Sequence, residues 1–162
     1  MEGLFLENKN VTQVGVPADL NSAAVTGARL KMDSAYGCAV ALSFGASTSA
    51  VVTVSFQQHD AAEVGNSKAL NVQANYYYKA VGSTQFTKVE VRPDDSGLAA
   101  SVDLASIFED DGGIVVFEFL PEFLDQANGY DWMSVNVADS TAAKVMSGLY
   151  IERDLKLQDH IA

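Results

Sequence analysis

Apolar and polar residues alternate with period two in a series of short segments between residues 28 and 151, a pattern that predicts strands. In 28–33, Leu30 and Met32 share one face while Arg29, Lys31 and Asp33 take the other, as in a half-buried strand. Residues 38–44 set Cys38, Val40, Leu42 and Phe44 against small residues, and 50–58 set Val52, Val54 and Phe56 against Thr53, Ser55 and Gln57. The intervening turn, Gly45 to Ser49, predicts that these two form a hairpin. Residues 86–92 alternate less regularly and end at Pro93-Asp94-Asp95-Ser96-Gly97, which is turn chemistry. Segment 114–120 is apolar on both faces except at Glu118, so a central strand covered on both sides is expected. Residues 132–138 and 145–151 predict a second hairpin across Asp139 to Ala143. Helix is confined to a turn or two within 98–109, capped by Ser101 or Asp103, and within Pro121 to Gln126.

Short strands at this spacing predict an all-β fold: a single-domain antiparallel β-sandwich or jelly roll with little helix. The length of 162 residues fits one domain, 1–162, with residues 1–15 as an N-terminal arm, and there is no repeat or Pro/Gly-rich linker to divide it. With 48% apolar and 19% charged residues the chain has the composition of a folded protein. The single cysteine, Cys38, excludes an internal disulfide and sits in an apolar alternating run, where a thiol acts as a small hydrophobe. Residues 1–10 contain Glu2 and Glu7 and no sustained apolar stretch, so no secretory signal is expected. No run approaches the roughly 18–20 apolar residues of a spanning helix, and no membrane partner is expected. Asn10-Val11-Thr12 then has no meaning as a glycosylation site.

The net charge of −11 is unevenly placed. Residues 1–93 carry seven acids and seven bases, and 144–162 carry three of each. All of the excess lies in 94–143, where Asp94, Asp95, Asp103, Glu109, Asp110, Asp111, Glu118, Glu122, Asp125, Asp131 and Asp139 stand without a Lys or Arg. Nucleic acid is therefore not an expected partner, because affinity for phosphates comes from clustered Lys and Arg that release counterions. This acidic segment is expected to supply an outward, solvated face that keeps copies soluble.

Catalytic groupings are hard to assemble. The two histidines, His59 and His160, read as surface residues, and there is no GxSxG elbow, phosphate-cradling Gly loop or CxxC pair. Neither a catalytic role nor a cofactor is expected. The stretch Phe108-Glu-Asp-Asp-Gly-Gly113 suggests calcium, since hard cations take clustered carboxylates, but it lacks the spacing of a calcium loop. Asp111-Gly112 is more simply a hairpin turn with positive φ, and no metal site is expected. Binding is better supported: in a strand, Tyr77 must point away from Tyr76 and Tyr78, and tyrosine supplies contact area at low entropic cost. The candidate interface is accordingly Leu4, Phe5 and Leu6 of the arm with Tyr76, Tyr77 and Tyr78.

The stretch Val16-Pro-Ala-Asp-Leu-Asn-Ser-Ala-Ala-Val-Thr-Gly27, then Leu30-Lys-Met32 and Cys38 to Gly45, resembles the opening of small virion structural proteins of tailed bacteriophages. Val115-Val-Phe-Glu118, Leu124-Asp-Gln-Ala-Asn-Gly-Tyr-Asp-Trp132, Val137-Ala-Asp-Ser140 and Leu149-Tyr-Ile151 resemble the second half of that group, so the likeness covers roughly residues 11–155. It implies a capsid cement or decoration protein on the outside of the icosahedral head, made in the host cytoplasm. Its implied partners are the major capsid protein and itself, as a homotrimer. No catalytic residues come with the group. Two other roles stay open at this point: a tail or fibre recognition module binding host carbohydrate on an aromatic platform of Tyr76, Tyr78 or Trp132, and a head-to-tail joining protein.

Overall fold

The structure, a computed structural model, describes residues 9–33, 35–71, 75–90 and 99–155. The alternating segments form two antiparallel sheets. The larger, seven-stranded sheet runs in the order β1 (Asn10–Gln13), β12 (Val145–Leu155), β4 (Ala35–Phe44), β10 (Gly113–Phe119), β7 (Asn75–Ala80) and β8 (Thr87–Glu90), with β2 (Ala18–Asp19) also on the β12 edge. The smaller, five-stranded sheet runs β3 (Leu30–Lys31), β11 (Trp132–Val137), β5 (Thr53–His59), β6 (Ser67–Ala69), with β9 (Ser101–Asp103) also paired to β5. Among the described residues, helix is limited to α1 (Ala105–Phe108) and two 3-10 turns, Pro121–Phe123 and Gln126–Asn128. Leu104, and neither Ser101 nor Asp103, stands at the N-cap of α1; both of those lie in β9, and the Asp103 carboxylate accepts from the Ala105 N–H at 2.8 Å from one residue before the cap.

The strand faces follow the alternation. Cys38, Val40, Leu42 and Phe44 of β4, with Val115, Phe117 and Phe119 of β10, point inward and are buried. They meet Val54 and Phe56 of β5 and Met133, Val135 and Val137 of β11 from the other sheet. Each such side chain contributes about 1.5–3 kcal/mol on burial. The Phe56 ring lies 5.2 Å edge-on from both Phe117 and Phe119 and joins the layers. A polar bolt crosses the core beside it. The buried Tyr150 hydroxyl of β12 accepts from the Val135 N–H of β11 at 3.0 Å, and burial raises its pKa. Gly27 permits this approach, because a Cβ there would come within 2.1 Å of the Val135 carbonyl and 2.8 Å of that hydroxyl.

Four local expectations are corrected. Segments 38–44 and 50–58 are not a hairpin: β4 and β5 belong to different sheets, and the link between them arches across the core. The same holds for 132–138 and 145–151, which become β11 and β12. Alternation cannot separate the two cases, because hairpin and arch both turn one apolar face to the core. Nor is Asp111-Gly112 a hairpin turn with positive φ. Gly112 is absent from the positive-φ residues, and β10 pairs with β4 and β7; a Cβ at 112 would sit 2.7 Å from the Phe44 carbonyl. Finally, β10 is central but is covered on one face alone, with Ile114 40% exposed on the other.

Candidate interaction face

The uncovered side of β10 belongs to a broader surface, the outer face of the seven-stranded sheet. Strand register lays one row across it: Gln13, Leu149, Ala41, Val116, Tyr77 and Lys88 are successive cross-strand partners. A second row contains Val11, Ile151, Ala39 and Glu118, and a third Ser147, Ser43, Ile114 and Lys79. Along the cleft, the middle strand β4 turns the small residues Ala39, Ala41 and Ser43 outward, whereas its neighbours offer Leu149 and Ile151 on one side and Ile114 and Val116 on the other. Small residues between large ones make a valley. A cleft of about 420 Å³ lies there, with Ala41, Ser43, Ile114 and Leu149 in its walls. A second, open hollow of about 280 Å³ is lined by Val116, Tyr77 and Phe86.

The other outer face is different in kind. β5 turns Thr53, Ser55 and Gln57 outward, β11 turns Asn136 and Trp132, and β9 turns Ser101 and Asp103. One face of the sandwich is thus polar, and the other is apolar across its centre. Charges on this face include Glu118 and Arg153, which pair at 3.2 Å across β4 at one end of the cleft strands, and Lys79 and Lys88 on the β7–β8 side.

No family model and no curated protein matches this chain. Among solved structures it is similar to the crystal structure of SPBc2 prophage-derived protein YomS, at 15% identity and a TM-score of 0.45, over 89% of this chain and 93% of that one. That neighbour is by its own description prophage-derived. A likeness this low transfers no role to individual residues.

The residues singled out from the sequence separate in the structure. Tyr76 is buried against Phe117, with ring centres 5.6 Å apart, and Tyr78 packs edge-on to Phe108. Only Tyr77 of the three points to the outer face. Leu4, Phe5 and Leu6 lie outside the described residues. The apolar row itself was missed as a surface, although its signal was present in the two-sided apolarity of 114–117.

The acidic segment does not form one face. Glu109, Asp110 and Asp111 lie where β4 ends and β10 begins, next to the loop 45–50, while Asp125 bonds Lys68 at the opposite end. Where a calcium reading would place a metal, the structure places an ammonium. The fully buried Lys144 directs Nζ to the Phe108 carbonyl, to the Asp111 carbonyl at 2.9 Å and to the Ser47 hydroxyl at 2.8 Å. Burial lowers its pKa, opposed by Asp110 and Asp111.

His59 is buried and not a surface residue. Its Nδ1 lies 2.7 Å from the Ser67 hydroxyl and its Nε2 2.8 Å from that of Ser134. Burial, then the Arg29 charge, lowers its pKa, with Asp60 opposing. His160 lies outside the described residues. Burial pushes the Cys38 thiol up to about 12, which leaves it unreactive.

Proposed function

We propose that the protein is a virion structural component of a tailed bacteriophage, a capsid cement or decoration protein that works by binding and not by catalysis. The observation that carries this reading is the apolar outer face of the seven-stranded sheet, opposed to a polar face on the other sheet. The outward Ile114 and Val116 suit a strand whose second cover comes from another chain, because contiguous exposed apolar surface marks an interaction site. The resemblance of residues 11–155 to small virion proteins supplies the setting: the capsid surface, with the major capsid protein as partner and a homotrimer as the unit. In this arrangement the β12–β4–β10 cleft meets the shell and the Tyr77 strand lies at the subunit contact. Many copies of a modest contact sum across a lattice, so no single site needs high affinity.

The test is binding to expanded, undecorated heads. Purified protein should co-sediment with them and raise their resistance to heat, since a ligand selective for the assembled shell stabilises it by mass action. Failure to co-sediment, together with binding on a glycan array, would favour a recognition module in its place, with Trp132 as the outward aromatic residue.

A further inference from the structure

We infer that the cleft over β4 takes an apolar side chain from a segment of the head shell, and that Lys79 beside it takes an acidic side chain of the same segment. The inference rests on the reading above that this face meets the shell, and it names the chemistry of what is met.

None of the residues lining the cleft carries a charge, in a chain of net charge −11. Its floor is small at Ala41 and Ser43, and Leu149 and Ile114 stand on either side. The exposed Val16, between the lining residues Gly15 and Pro17, and the exposed Val145, two residues before Ser147 on β12, extend its apolar border. A charged side chain entering here would lose its hydration with no opposite charge in the lining to replace it. An aliphatic one loses nothing and buries apolar surface.

Lys79 adds the second element of recognition. The row Ser147, Ser43, Ile114 and Lys79 crosses the strands, and a hollow of about 290 Å³ continues from Ile114 past Lys79 to Gly82 and Ser83. The cleft and this hollow share Ile114, so one groove runs from the valley to the lysine. Among the described residues Lys79 makes no ion pair. A cation without a carboxylate at the border of an apolar contact is complementary to an acid on the partner. Two strand spacings, about 10 Å, separate Ser43 from Lys79, a distance that about three residues of extended chain cover. The strands beneath, β12, β4, β10 and β7, each have a neighbour on both sides and present no free edge here. The occupant is thus held through its side chains and not as an added strand.

The experiment is a co-sedimentation titration of the full-length protein and its variants on expanded, undecorated heads, at low and at raised salt. Ser43 is exposed on the cleft floor, so Ser43→Trp fills the cleft from an open position and should weaken binding by about tenfold or more. Lys79→Glu should weaken it severalfold, Lys79→Arg should leave it near the wild-type level, and Lys79→Gln should bind with less dependence on salt than the wild type. Thermal melts check that each variant is folded, and the Lys79 series carries the test alone if Ser43→Trp is not. Wild-type head binding with folded Ser43→Trp or Lys79→Glu unaffected overturns this inference and leaves the proposed function standing. Failure of the wild type to co-sediment overturns both. An oligomer of the free protein that Ser43→Trp dissociates would put a second copy in the cleft and also overturn the inference.

Discussion

Tyr150 and Gly27 act as a pair at the residue scale: the hydroxyl of one satisfies a backbone N–H of the opposite sheet, and the missing side chain of the other leaves room for it. Tyr150→Phe orphans the buried Val135 N–H and is expected to cost about 1–3 kcal/mol. Gly27→Ala forces backbone apart and should cost about 3 kcal/mol. Urea denaturation midpoints measure both. Lys144 fills its own oxygen cage, so Lys144→Met should destabilise by about 3 kcal/mol through unpaired carbonyls. For the same reason, calcium titration of the wild-type protein by calorimetry is expected to show no stoichiometric micromolar binding. The buried His59 gives a pH dependence. Its folded pKa lies below the ordinary 6.5, so as pH falls the unfolded chain takes up the proton first. This contribution is complete above 6.5 and is lost as pH falls through the folded value. The decline should be smaller in His59→Gln, as followed by thermal melts across pH 7 to 4.

Legibility from sequence changes at the scale of the element. The inward residues of β4, β5 and β11 were readable because a period of two leaves each strand one choice of core face. What the pattern could not say was which sheet each strand joins, and two arches therefore looked like hairpins. Cover was equally hidden. Residues 114–117 are apolar on both faces whether the second cover lies within the chain or outside it. His59 reads as a surface residue and Lys144 gives no signal in the sequence, because their partners, Ser134 and the loops at 47 and 108–111, are distant along the chain. The faces of β10 give a direct check. Phe117→Ala should cost about 3–5 kcal/mol, whereas Ile114→Thr, at an open position, should change stability by no more than about 0.5 kcal/mol.

At the scale of the whole molecule, the sandwich is two-faced: one outer surface suited to water, the other to a partner. In the proposed unit the Tyr77 strand lies at the subunit contact, apart from the shell contact at the β12–β4–β10 cleft. Tyr77→Asp should accordingly weaken a trimer seen by light scattering, because a charge buried unpaired at a contact typically costs several kcal/mol. The most direct test of the account is carbene footprinting of the protein free and bound to heads. Leu149, Ile114 and Val145 are exposed in the isolated chain, and Val64 on the loop before β6 is more so. Labelling of Leu149, Ile114 and Val145 should fall on the particle, while that of Val64 and Trp132 stays as it is. Protection of Trp132 and Val64 with Leu149 and Ile114 still labelled would contradict the account, since the polar sheet would then be the one that meets the shell.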